Sequence, residues 1–280
     1  MNGEGPPARV PQQLTPDALH AHRKTRWLGR EIHCFASTDS TNRAATELGR
    51  SGAPHGSAVL AEEQTAGRGR LGRAFFSPPA GNLYLSCVLR FCFPPAEAPS
   101  LVLSAAVAVA DSVAEVVADP AAVSIKWPND VLLGDKKTSG ILMEMVSLAG
   151  RVDFFVLGIG VNLNSAPEDF PKEFRACATS LAAYTKHAID RAAFCGHLLQ
   201  TLETALDNHA AGGFERNRER FLARSALAGR TVRVRESNSV ENEGTAVGID
   251  CDGALLLTTA AGKQLRIMAG DVTLAVNAAA

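Results

Sequence analysis

Apolar positions along the chain fall into short blocks whose period alternates between strand-like and helical. Residues 31–36 and 57–61 are short apolar runs bounded by polar and glycine clusters, the signature of strands. Between them, Ser37-Thr38-Asp39-Ser40-Thr41-Asn42 gathers N-cap residue types ahead of a helical stretch over 43–49. Residues 82–91 alternate as a strand does. The longest apolar stretch, 101–118, carries Ser104, Asp111 and Glu115 near one face at helical spacing, which predicts an amphipathic buried helix and not a membrane span. Three apolar runs follow, over 123–127, 140–146 and 152–161. Pro128-Asn129-Asp130 and Gly134-Asp135-Lys136 supply turns, so these runs predict an antiparallel meander. A helical pattern over 190–226 breaks near Gly212-Gly213. Five short strands over 231–235, 244–249, 254–258, 264–268 and 272–276 then predict a small barrel. A weak helix is expected within 15–30, after a Pro/Gln/Gly-rich start expected to fray. The pattern is that of an α+β chain in three parts: an N-terminal extension (1–30), a large domain (31–226) and a small β-barrel domain (227–280).

Composition narrows the function. The 280 residues hold 28 Lys+Arg and 29 Asp+Glu, a formal net charge of −1, with 46% hydrophobic residues. A protein that coats duplex nucleic acid normally shows a strong basic excess, so any anion-binding chemistry must lie in short segments. Arg216, Arg218, Arg220 and Arg224 could form a basic face, but Glu215 and Glu219 interleave with them and predict ion pairs instead. The start of the chain shows no apolar signal region. The six cysteines (34, 87, 92, 177, 195, 251) form no Cys-x-x-Cys pair and the seven histidines show no metal spacing. Free thiols in a reducing cytoplasm, with no structural metal, are expected.

Two segments carry candidate chemistry. Gly67-Arg68-Gly69-Arg70-Leu71-Gly72-Arg73 spells G-x-G-x-x-G, but a dinucleotide fold would open a helix next. Here Pro78 and Pro79 follow closely, and consecutive prolines do not open one. What remains is a flexible loop with three guanidiniums within six positions. It reads either as a solvated surface loop or as a phosphate clamp that orders on binding its ligand. In Ser124-Ile125-Lys126-Trp127-Pro128-Asn129-Asp130, Lys126 sits between apolar neighbours at a strand end. It either snorkels to solvent or meets an anion. Two further segments, Gly140-Ile141-Leu142-Met143-Glu144 and Gly158-Ile159-Gly160-Val161-Asn162-Leu163-Asn164, place glycines in strands, where a ligand can approach the backbone.

Taken in order, four segments resemble the biotin protein ligases: Asp39-Ser40-Thr41-Asn42, then 63–73 (Glu63-Gln64-Thr65-Ala66 running into the glycine-arginine loop), Lys126-Trp127-Pro128-Asn129-Asp130, and Gly158-Ile159-Gly160-Val161-Asn162. The terminal small barrel extends the likeness to nearly the whole chain. The resemblance implies a mixed β-sheet of the class II aminoacyl-tRNA synthetase and biotin ligase type. It implies an enzyme that makes biotinyl-5′-adenylate from biotin and magnesium-ATP, then passes biotin to one lysine of a biotin carboxyl carrier protein.

By that likeness, Ser40, Thr41, Gln64, Gly67 and Arg68 belong to the biotin site. Gly140, Leu142, Gly158 and Gly160 let its rings and valeryl chain pack. Arg70, Arg73, Phe75, Lys126, Asn129 and Asn162 belong to ATP and the adenylate. Lys126 and Arg70 are the expected catalytic pair, and magnesium is expected through the phosphates without a protein-held metal. Phe75 replaces a tryptophan found in many relatives, and Ala275 stands where some carry a late arginine. Bifunctional relatives begin with a DNA-binding domain of some sixty residues, so about thirty residues before Glu31 imply the monofunctional type, acting on no nucleic acid or membrane. The sequence leaves a monomer and a homodimer equally open. The alternatives are a lipoate or related acyl-carrier ligase, and a non-catalytic module that holds biotin or nucleotide.

Overall fold

In the computed structural model, residues 13–236 and 240–275 are described. The chain enters through α1 (Pro16–His22), capped by Thr15, whose hydroxyl accepts from the Ala18 N–H. The helix stops well short of residue 30. The Glu203 carboxylate accepts the backbone N–H groups of Arg26, Trp27 and Leu28 at 2.8–2.9 Å, so these donors serve a tertiary contact instead of a helical turn.

The large sheet begins with β1 (Ile32–Phe35), which pairs in parallel with β2 (Ala58–Ala61) across α2 (Thr41–Arg50). β3 (Leu83–Leu89) runs antiparallel to β2 and is buried at every position. After α3 (Ala98–Val116) comes the expected meander, with one strand more than the apolar runs suggested: β4 (Val123–Lys126), β5 (Asp130–Leu133), β6 (Lys136–Leu148) and β7 (Arg151–Val161). Asp130, read from sequence as a turn residue, is the first residue of β5. The order β1-β2-β3-β7-β6-β5-β4 closes the meander back against β3.

The two faces of this sheet are covered differently. α3 packs on one face beneath α5 (Arg191–Gly212) and α6 (Glu215–Ala223), which follow the short α4 (Leu181–Thr185). α3 is long and apolar enough to cross a membrane by composition, yet most of it lies buried here as a core helix. Its polar positions do not all face outward as expected. Ser104 is fully buried, 2.9 Å from His209 Nδ1, and accepts from Asn217 Nδ2 at 3.1 Å. Asp111 stays at the rim and pairs with Arg220 and Arg224. Arginines of α6 thus meet acids, as the interleaved charges predict, with Arg218 on Glu215 as well. The other face of the sheet carries α2, whose Ala45 packs with Val59, Val88, Phe154 and Val156. Beyond the N-terminus of α2 this face is left open.

The C-terminal strands β8 (Thr231–Arg235), β9 (Glu241–Ile249), β10 (Leu255–Thr258), β11 (Gln264–Ile267) and β12 (Asp271–Leu274) form an antiparallel sheet in the order β11-β10-β9-β8-β12. Among the described residues β11 and β12 are not paired, so the expected barrel is a sheet whose ladder stays open. The three residues joining its two edge strands still require it to curl. Val276, the last residue of the strand expected over 272–276, lies outside the described residues, as do residues 1–12 of the N-terminal extension.

Candidate active site

The open face of the large sheet holds a cleft of about 570 Å³, within the size range of small-molecule sites. Its floor is β6 and β7, where Gly140, Leu142, Gly158 and Gly160 all line it. The glycines serve close packing. A Cβ on Gly160 would stand 2.4 Å from the Phe75 ring, and one on Gly158 would stand 2.1 Å from Asn42 Oδ1. Only a bare backbone lets Phe75 and Asn42 lie against the sheet.

One wall is the N-terminus of α2. Thr41 donates through both its backbone N–H and its hydroxyl to Gln64 Oε1, at 2.9 and 3.0 Å. Gln64 Nε2 donates to Ser77 Oγ at 2.9 Å. Behind them the Ser86 hydroxyl lies 2.8 Å from Thr41 Oγ1 and 2.7 Å from Asn42 Oδ1, and Asn42 Nδ2 donates to Glu144 Oε2 at 2.7 Å. The N-cap signal in the sequence was therefore only half a capping signal. Ser40 caps α2 without a side-chain hydrogen bond, while Thr41 holds Gln64, Asn42 holds Glu144, and both line the cleft.

The opposite wall is the glycine-arginine loop, folded as a tight hairpin. Gly69 N–H donates to Arg73 O at 2.7 Å, Phe75 N–H donates to Gly67 O at 2.9 Å, and Leu71 and Gly72 take left-handed backbone angles at its tip. No helix follows, as the prolines predicted. All three guanidiniums are engaged by acceptors from three separate elements. Arg68 pairs with Glu144 of β6 at 3.2 Å. Arg70 donates to Asn129 Oδ1 at 3.2 Å and to Gly270 O at 3.4 Å. Arg73 pairs with Asp271 of β12. Burial draws the half-buried Arg70 guanidinium below its usual pKa, and the charges of Asp271 and Asp130 oppose that shift.

Lys126, at the end of β4, lines the cleft beside Trp127 and Pro128. Lys137 pairs with Asp130 at 2.7 Å, with its ammonium 6.0 Å from the Phe75 ring centre. Of the five cations lining the cleft, Lys126 is the one whose ammonium has no acceptor among the described residues. The arrangement therefore presents an uncommitted positive charge beside a polar pocket (Ser40, Thr41, Gln64) on one side and an arginine loop on the other. It is suited to bringing two anions together.

Of the residues expected from sequence, Ser40, Thr41, Gln64, Arg68, Arg70, Arg73, Phe75, Lys126, Asn129, Gly140, Leu142, Gly158 and Gly160 converge on this one cleft. Gly67 and Asn162 do not line it. Gly67 sits under the loop, where a Cβ would meet Phe75 O and Ser77 Oγ at 2.6 Å. Asn162 is buried behind the floor, its side-chain N–H donating to Thr179 O at 3.1 Å. Sequence reasoning missed Lys137, Phe174, Cys177, Asp271 and Thr273, which also line the cleft, and Glu144, which anchors Arg68. Among the described residues no group of three His, Cys, Asp or Glu is placed to hold a metal. The two carboxylates on the lining, Asp130 and Asp271, are each paired with a cation.

Residues 34–162 match the model of the biotin/lipoate A/B protein ligase family, and 228–274 match that of the biotin protein ligase C-terminal domain. The fold and the cleft are thus those of a protein-modifying ligase. The chain is 36% identical to the bifunctional ligase/repressor of Bacillus subtilis over 266 residues, which is 95% of this chain and 81% of that protein. It is 38% identical to the biotin–[acetyl-CoA-carboxylase] ligase of Paracoccus denitrificans over 82% of this chain and 95% of that one. A solved biotin protein ligase from Aquifex aeolicus, in complex with biotin and ATP, superposes with a TM-score of 0.75 at 29% identity, covering 88% of this chain and 98% of that one. The chain belongs to the biotin protein ligase family.

Proposed function

We propose that the cleft is where this biotin–protein ligase forms biotinyl-5′-adenylate from biotin and ATP and then passes biotin to a lysine of a biotin carboxyl carrier protein. The observation that carries the reading is the unpartnered Lys126 ammonium in the cleft that the Thr41–Gln64 pair and the arginine loop also line. The neutral ureido ring of biotin needs polar partners in a mostly apolar pocket, which Ser40, Thr41 and Gln64 supply over the glycine floor. The biotin carboxylate and the α-phosphate repel each other. A cation between them relieves that repulsion and stabilises charge as the carboxylate oxygen attacks phosphorus and pyrophosphate leaves. Lys126 does this, while Arg70 and Arg73 take the phosphates and Phe75 lies along the adenylate.

Magnesium would enter on the phosphates and add positive charge there. In the second step the acceptor lysine attacks the mixed anhydride and AMP leaves. No protein nucleophile is needed, so rate comes from orientation and from keeping water off the intermediate. Six thiols, none joined to another, suit a reducing cytoplasm as the working compartment.

The test is biotin-dependent exchange of labelled pyrophosphate into ATP, followed by transfer to a carrier domain, with lipoate as competitor. Exchange driven by biotin and not by lipoate, with a biotinylated carrier lysine, is expected. Exchange driven equally by lipoate, or none at all, would defeat the reading.

A further inference from the structure

We propose that Asp271 is a positioning residue that competes with the triphosphate of ATP for Arg73 and takes the guanidinium back when pyrophosphate has left. The proposal rests on the reading of the cleft as the adenylation site. Its ground is the way the arginines of the loop are held. Arg68 and Arg70 are held mostly by groups of the catalytic domain, Glu144 and Asn129, and Arg70 makes only a 3.4 Å bond to the Gly270 carbonyl across the domain boundary. Arg73 alone has a charged partner from the C-terminal sheet, and that partner, Asp271, lines the cleft itself.

A carboxylate on a guanidinium fork has the same chemistry as a phosphate oxygen in that position. Asp271 holds Arg73 through Nη2, the same N–H group that a phosphate oxygen would take in that position, and an unpaired Asp271 left beside a triphosphate would repel it. ATP must therefore displace Asp271. After adenylate formation the negative charge at that end departs with pyrophosphate, and Asp271 is again the nearest anion for Arg73. Re-pairing ties the loop to β12 over the intermediate. One residue of the small domain thus opposes nucleotide entry and favours retention of the product of the first step.

The pair is well exposed on the arginine side and less so on the aspartate side, 65% and 30%. A pair of that exposure is worth ~1 kcal/mol or less, which sets the expected effect at about two- to fivefold. The experiment measures pyrophosphate exchange for the full chain and for Asp271→Asn, Asp271→Glu, Arg73→Ala and the double variant Arg73→Ala/Asp271→Asn. Asp271→Asn is expected to lower the KM for ATP about two- to fivefold, leave the KM for biotin unchanged and speed release of preformed adenylate by a similar factor. Asp271→Glu should restore wild-type values. In the Arg73→Ala background the Asp271 change should lower the KM for ATP by less than it does in the wild type, because only the repulsion between Asp271 and the triphosphate is left to relieve. A KM for ATP that is unchanged or raised in Asp271→Asn overturns the proposal. So does an equal fall in the Arg73→Ala background, which would place the effect elsewhere. A biotin-driven exchange in the wild type keeps these failures separate from failure of the reading of the site; its absence would defeat both.

Discussion

At the scale of single residues, the cleft distinguishes cations that are committed from one that is not. Arg68, Arg73 and Lys137 are each paired with a carboxylate, and Arg70 donates to two oxygens. Lys126 alone arrives with its charge unneutralised, and a developing anion gains most from a cation that needs no prior release. Replacing Lys126 with alanine is accordingly expected to cut the rate of adenylate formation about a hundredfold or more. Biotin binding, which the proposed reading gives to Thr41 and Gln64, should weaken far less, and the melting temperature should stay near that of the wild type. Single-turnover adenylation beside a biotin titration measures the two separately, and an equal loss in both would contradict the assignment. These residues were legible in the sequence because each lies in a short segment whose composition is odd for its setting: arginines among glycines, a lysine inside an apolar run. Asp271 was not. It stands 198 residues from Arg73, and nothing around it signals that a fold will carry it to the cleft. Glu144 was hidden for a different reason, since a carboxylate near the open end of a strand usually faces water.

At the scale of elements, hydrophobic period located nearly every strand and helix, and errors arose where a tertiary partner reassigned polar groups. β5 is only four residues long between two turns, too short for alternation to stand out. The N-terminal helix lost its second half to the Glu203 carboxylate. α3 shows the reverse case, a serine buried because the facing helices bring partners. His209 of α5 is at the centre of that arrangement, fully buried, with Nδ1 on Ser104 and Nε2 3.5 Å from Glu97 Oε2. Burial pulls its pKa below the usual value, and the Glu97 charge only partly offsets this. With the folded pKa depressed, the unfolded chain binds the proton first. The stability tied to a neutral His209 is thus complete above the unfolded value of about 6.5 and is lost as pH falls toward the lower folded value. Half-buried His55 acts in the same direction, so a variant without His209 retains part of the slope through that residue. The melting temperature is expected to drop between pH 7.5 and 5.5, and His209→Gln should flatten that drop. A variant that keeps the full slope would place the titration elsewhere.

At the scale of the whole molecule, the two sheets act on the cleft together. The near-neutral chain conceals a cleft whose cations come from the loop, β4 and β6, and whose counter-anions come from β5, β6 and the C-terminal sheet. The sheet is seated by more than Asp271. Trp127, next to Lys126, donates its indole N–H to Gly253 O at 2.9 Å, and Arg218 Nε donates to Ile249 O at 2.8 Å. Gly253 makes the seating close: its φ is +90°, and a Cβ there would stand 3.0 Å from the Cα of Ser100 in α3. Any side chain at 253 therefore meets both backbone strain and a helix backbone that cannot yield, at a cost of about 1–3 kcal/mol. Pattern reading found the strands of the two sheets but not this joint, because a glycine in a hairpin turn looks the same whether its neighbour is solvent or a helix. Gly253→Ala is expected to lower the melting temperature by several degrees. Trp127 emission should shift to longer wavelength as the indole loses its buried acceptor, and the KM for ATP should change because Asp271 no longer reaches Arg73 as before. Trp27→Phe leaves Trp127 as the single emitter for this measurement. Unchanged emission in Gly253→Ala would mean that the C-terminal sheet is not seated through Gly253, and that its hold on the arginine loop does not depend on this joint.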